Sequence, residues 1–238
     1  MNRRSALMLA PALALGLPRL AAAQVSPFPD RPIRLIIPFT AGGSNDIVGR
    51  LLAGEMAARL ADELAPLIER AGLPVIRSSI DGFHNPRVIR YRRGRDSPEG
   101  FYRDSFDIAR FKAELLDPLG PGGSRFYRTA VFDHRTDLPV RMAPRRAPVP
   151  SVLIVDGIFL QRPDLAGCWD LTIFLDVPFA VTFARMALRD GSSPDAFAAS
   201  NRRYREGQLL YIAECRPRET ADILVDYADI ALPRIVRG

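Results

Sequence analysis

The sequence predicts an α/β protein built on a mainly parallel sheet with helices on both faces. Short apolar runs alternate with longer amphipathic stretches along most of the chain, the pattern of successive β-α units. Several of the runs end in an aspartate, where such sheets gather functional groups. The length, 238 residues, with 47% hydrophobic and 25% charged residues, suits one domain with a proper core.

The elements follow in order. Arg3-Arg4, the apolar stretch Ala6 to Leu17 and the small residues Ala21-Ala22-Ala23 read as an export signal over residues 1–23, too short to span a bilayer as a mature helix. Ile33 to Phe39 reads as a buried strand and Thr40 to Asn45 as a turn. A helical pattern runs from Asp46 to about Arg70, closed by Gly72. Pro74 to Ile80 reads as a strand ending in Asp81, Arg87 to Arg95 as a basic loop, Phe106 to Leu116 as a helix and Phe126 to Phe132 as a strand. The Pro- and Arg-rich stretch Pro139 to Pro150 reads as a loop or edge strand. Val152 to Val155 is a buried strand ending in Asp156, and Leu171 to Leu175 another ending in Asp176. Helices are expected at Ala180 to Leu188 and Asp195 to Ala213, and a last strand at Ala221 to Val225.

The formal net charge is +6, and Lys112 is the only lysine. Arginine suits bidentate binding of phosphate or carboxylate. No basic stripe is interleaved with aromatics, so no nucleic-acid partner is expected. Cys168 and Cys215 form no C-x-x-C pair and are expected as two buried free thiols.

Two resemblances meet near Leu60. Residues 24–60 contain Phe28 to Ile36 and Pro38 to Asp46, which resemble the start of a periplasmic solute-binding protein of the tripartite tricarboxylate transporter family. That resemblance implies an anion-holding turn at Gly42, Gly43 and Ser44. From Ala61 onward the chain resembles the uridine kinase family of P-loop phosphotransferases. The carrying segments are Ser79-Ile80-Asp81-Gly82-Phe83-His84, Glu99 to Asp107, Tyr127 to His134, Leu153 to Phe159, Asp170 to Asp176 and Ala184 to Asp190. It implies a P-loop-kinase-like fold, with ATP and magnesium as cofactors and a nucleoside or small alcohol as acceptor.

The same resemblance implies roles for individual residues. Asp81 would be the base or orienter of the acceptor hydroxyl; read without it, Asp81 is equally a cap at a strand end. Phe83, His84, Tyr127 and His134 would bind the acceptor. Asp156 would stand near magnesium through water, or else cap its strand. Arg185 and Arg189, four apart on one helix face, would form a lid over the nucleotide phosphates, or else a solvated face.

A phosphate-binding loop reads G-x-x-x-x-G-K-[ST]. The corresponding stretch, Gly43 to Leu51, spaces its glycines one residue too far apart, with Arg50 in place of lysine and Leu51 in place of the hydroxyl. Losing one preorganised donor at an oxyanion costs about 2.7–4 kcal/mol, so ATP turnover is expected to be very low or absent. The alternatives are an exported fragment that binds a small carboxylate, and a non-functional fusion. The kinase-like body is expected in the cytoplasm, and in the periplasm if the signal is used.

Overall fold

The computed structural model describes residues 31–38 and 49–238, with side chains beyond those of 49–55 and 189–190. The signal-like stretch and the turn at Gly42, Gly43 and Ser44 lie outside the described residues. The elements are β1 (Ile33–Pro38), α1 (Gly49–Arg70), β2 (Val75–Ser79), α2 (Arg87–Arg90), α3 (Pro98–Asp104), α4 (Ile108–Phe111), β3 (Phe126–Tyr127), β4 (Phe132–Asp133), β5 (Leu138–Pro139) and β6 (Arg145–Arg146). They continue with β7 (Val152–Gly157), β8 (Leu171–Asp176), α5 (Phe179–Asp190), α6 (Arg202–Cys215), α7 (Pro217–Thr220), β9 (Ile223–Asp226) and β10 (Arg234–Arg237).

Six strands form one sheet in the order β10-β9-β8-β1-β7-β2. All neighbours pair in parallel except β10, which runs antiparallel along β9. The apolar run of β1 places Leu35, Ile36 and Ile37 in the core beside Leu153, Ile154 and Val155 of β7. The register Ser79↔Asp156 and Pro38↔Gly157 aligns the carboxyl ends of β2, β7 and β1 at one edge of the sheet. Helix α1 runs unbroken through Leu60 and Ala61, buries Met56, Ala57 and Ala61, and ends at Gly72 with φ +87°, where only glycine turns left-handed without strain.

Helices α3 and α6 pack face to face. Gly207 permits this: a Cβ there would stand 2.7 Å from Phe101 Cδ1 and 2.9 Å from the Pro98 carbonyl oxygen. Phe101, Tyr102, Phe159 and Tyr211 interlock edge to face around the junction. Cys168 and Cys215 are buried free thiols, as the sequence predicts. Among the described residues no helix is long and apolar enough to cross a membrane.

Four elements differ from expectation. The expected strand Phe126 to Phe132 divides into β3 and β4, in two separate two-stranded ribbons outside the main sheet. Its middle is drawn away, because Arg128 N–H donates to the Glu114 carbonyl and Val131 N–H to that of Gly82. The basic loop starts as the short helix α2. The helix expected from Asp195 begins only at Arg202, because the Asn201 amide donates to the carbonyls of Ser193 and Asp195 and holds that stretch as a turn. Finally, β9 is not the last strand: β10 follows it.

Candidate active site

The site is built at the carboxyl end of β2. After Ser79 the chain enters a single 3-10 turn, Ile80–Phe83, in which the Ser79 hydroxyl accepts from Asp81 N–H at 3.3 Å. Gly82 is pressed against the segment following β3, where a Cβ would lie 2.7 Å from the Thr129 carbonyl oxygen. Asp107 N–H donates to the Phe83 carbonyl and Asn85 N–H to the Ser105 carbonyl, so neighbouring backbones hold this turn on both sides.

Asp81 is partly exposed at this turn. His84, buried to 1%, donates from Nδ1 to the Asp81 carbonyl oxygen at 2.7 Å. A carbonyl only accepts, so Nδ1 carries the proton, and Nε2 faces the Asp81 carboxylate at 3.9 Å. The His84 ring lies between Phe106 and His134, with centroids at 4.5 and 4.6 Å. Asp81, His84 and His134 therefore come together. Phe83 is fully buried and packs edge-on against Phe111 at 5.0 Å. Tyr127 is nearly buried in β3, paired in register with Arg145.

Asp156 ends β7 beside Ser79, whose hydroxyl donates to the Asp156 carbonyl at 3.3 Å. Its carboxylate is 6% exposed and lies 3.2 Å from Nη1 of Arg77. Nη2 of the same arginine reaches Asp62 of α1 at 2.9 Å and the Ala58 carbonyl at 3.2 Å. Burial pushes the Asp156 carboxyl above the usual range, and the Arg77 guanidinium pulls only part of that back. Arg77 thus bonds to one oxygen of the Asp156 carboxylate. Among the described residues no group of three or more His, Cys, Asp or Glu converges on a metal position.

Arg185 of α5 reaches the segment just past the carboxyl end of β9. Its guanidinium donates to the carbonyls of Tyr227 and Ala228 and lies 3.2 Å from the Met56 sulfur. The side chain of Arg189, its expected partner in a lid, lies outside the described residues. An open depression of about 440 Å³ lies alongside the site, lined by Arg110, Glu114, Arg128, Val131, Arg141 and Met142 among others; neither Asp81 nor Asp156 lines it.

Sequence reasoning missed two contributors. Arg77 reads as an ordinary strand residue in register with Ile154, and only its 3.2 Å ion pair with Asp156 shows its purpose. Asp104, buried to 3%, accepts from Arg92 and Arg93 and anchors the basic stretch that follows α2. Burial raises the Asp104 carboxyl, but the two guanidinium hydrogen bonds outweigh it and hold the group below the usual carboxylate range. The folded state therefore gives up this proton more readily than the unfolded one. The resulting stability is present above about pH 4 and is lost as pH falls through the depressed value. Asp104→Asn is expected to lose about 1–2 kcal/mol at pH 7, kept small by the exposure of both arginines. It should also be less sensitive to acid below pH 4 than the parent chain, which urea denaturation at pH 7 and pH 3 would check.

No family model matches the chain. Among solved structures, a possible uridine kinase from Bacillus stearothermophilus superposes with a TM-score of 0.58 over 82% of this chain and 88% of that one, at 18% identity. The fold is that of the P-loop kinases. Phosphoribulokinase from Rhodobacter spheroides shares it, with a TM-score of 0.52 over 82% of this chain and 70% of its own, at 17% identity. Within the kinase fold, β1 is a central strand, and α1 is the helix that follows it.

Proposed function

We propose that this chain is a uridine-kinase-type phosphotransferase whose acceptor end is intact and whose phosphate-binding loop is not. The observation that carries the reading is the held turn at Asp81: a carboxylate at the end of β2, backed by a histidine of fixed tautomer and a second histidine packed at a tilt against it. In this reading the acceptor hydroxyl donates to Asp81. As its oxygen attacks the terminal phosphorus of ATP, an O–P bond forms, the bond to the bridging oxygen breaks, the nucleoside diphosphate leaves, and the hydroxyl proton passes to the Asp81 carboxylate. Asp156, paired with Arg77, is assigned to holding the strand end, and no step is assigned to a metal.

The segment 24–60 is then a replacement part for this sheet. Its strand lies between β7 and β8, and the Ala58 carbonyl of its helix accepts from Arg77, the ion-pair partner of Asp156. A carboxylate-binding lobe of its own would need partners that these elements give instead to the kinase fold.

The test is a minimal repair. Deleting Val48 and introducing Arg50→Lys and Leu51→Thr converts Gly43 to Leu51 into G-x-x-x-x-G-K-T. The repaired chain should bind ATP at least tenfold more tightly than the parent by calorimetry, and should transfer phosphate to uridine or a small alcohol. Asp81→Asn in that background should lower kcat by about 10²–10⁴ while leaving ATP affinity unchanged, since a base acts on the acceptor. A folded, repaired chain that ignores ATP, or one that turns over equally well without Asp81, would overturn the proposal.

A further inference from the structure

Arg203 is the second residue of α6 and is 6% exposed. Its guanidinium lies over three rings, 5.1 Å from Tyr91, 5.5 Å from Phe101 and 5.6 Å from Tyr204. These rings satisfy its faces but not its edge: Nε and Nη2 are both buried without a hydrogen-bond partner. Those two atoms form one side of the guanidinium fork and point in parallel, the geometry that matches two oxygens of a carboxylate or a phosphate. Buried donors left bare in this way are rare, because they forfeit their hydration.

The surroundings favour an anion as well. Arg202 and Arg203 open α6, a 14-residue helix whose first turn holds no acidic residue and whose N-cap side chain makes no capping bond. A helix begins at its positive end, so cations there raise the local potential further. Arg95 lies over the same Tyr91 ring at 5.2 Å; it is exposed and forms no ion pair among the described residues. The neighbouring cations are committed elsewhere, Arg92 and Arg93 to Asp104 and Arg103 to Glu99 and Glu214.

A chain of neighbouring residues leads from this place to the acceptor site. Arg90, adjacent to Tyr91, lies 3.3 Å from Asp137, which also accepts from Arg87 N–H at 3.0 Å. Asp137 closes the turn that carries His134, and His134 stacks on His84.

We propose that the bare edge of Arg203, with Arg95 over the same Tyr91 ring, is a subsite for an anionic group on the acceptor, a phosphate monoester or a carboxylate held by two parallel N–H donors. The assignment of the anion to an acceptor rests on the phosphotransferase reading above; the binding itself does not. An acceptor anchored there would be a charged alcohol, such as a sugar phosphate or a hydroxy acid, in place of a neutral nucleoside.

The test uses the full chain without nucleotide. Inorganic phosphate and acetate are titrated separately by calorimetry at constant ionic strength against chloride. Saturable binding at one site per chain by either anion is expected, and the tighter of the two names the group. Arg203→Lys keeps the charge but cannot offer two parallel donors, so affinity should fall at least tenfold. Arg95→Ala should weaken binding severalfold. No binding beyond the chloride blank would overturn the proposal, as would an affinity unchanged in Arg203→Lys. Should Arg203→Lys fail to fold, unchanged affinity in Arg95→Ala would overturn it instead. Absence of anion binding would leave Asp81-dependent transfer to uridine standing, and absence of transfer would leave the anion titration standing, so the two failures are separable.

Discussion

Arg77→Met is expected to cost about 3 kcal/mol at pH 8 and close to nothing near pH 4. It strips the cation from Asp156, a carboxylate 6% exposed at the end of β7, and breaking one side of a buried pair typically costs about 3–5 kcal/mol. The lower figure applies because Arg77 is itself 27% exposed and its second partner, Asp62, is largely in solvent. The pH dependence follows from the direction of the shift. The Asp156 carboxyl is already raised in the folded protein, and removing Arg77 raises it further. Below the unfolded value both states are protonated and the penalty vanishes. It grows as pH climbs towards the folded value and is complete above it. Urea denaturation at pH 8 and pH 4 would measure this. Adding Asp156→Asn should recover much of the loss at pH 8. Equal losses at the two pH values would show that a different group feels the missing charge.

Gly157→Ala is expected to lower the melting temperature by about 10 °C, roughly 3 kcal/mol in a chain of this size. Gly157 closes β7 at φ +144°, a conformation that residues with a Cβ rarely adopt. An added Cβ would also lie 2.3 Å from Ile80 Cγ2, inside the turn that presents Asp81. The substitution thus combines backbone strain with a clash against a fully buried side chain. Ile80→Ala in the same chain should relieve the clash and leave the strain. The double variant should then be less destabilised than the two single losses added together, which thermal denaturation of the four proteins would show.

The buried strands were the most legible parts of the chain. β1, β7, β8 and β9 are short apolar runs flanked by turn residues, and burial is what their composition reports. β10 was missed because Arg234-Ile235-Val236-Arg237 is fully exposed, so no burial pattern marks it. Phe126 to Phe132 misled because its apolar residues serve two different ribbons, a decision made by the distant partners Glu114 and Gly82. In the site, Asp81 and Asp156 were readable from their place at strand ends. Arg77 and Arg203 were not, since among so many arginines only burial and partnering distinguish the two that matter. A resemblance that carries a catalytic acid across cannot show which local cation has already claimed it, as Arg77 has claimed Asp156.

The place of β1 has a consequence for how the protein comes into being. It is the first strand among the described residues, yet its hydrogen-bonding neighbours β7 and β8 begin only at Val152 and Leu171. A ribosome adding about 5–20 residues per second needs roughly 7–28 s to supply them. Throughout that interval Leu35, Ile36 and Ile37 have no sheet to enter, and both edges of the strand are open to other chains. Assembly must then zip parallel strands across long intervening loops, which is intrinsically slow. During synthesis the vulnerable element is therefore β1, and a chaperone that shields the nascent Ile33–Pro38 segment should raise the yield of native protein more than one that acts after release.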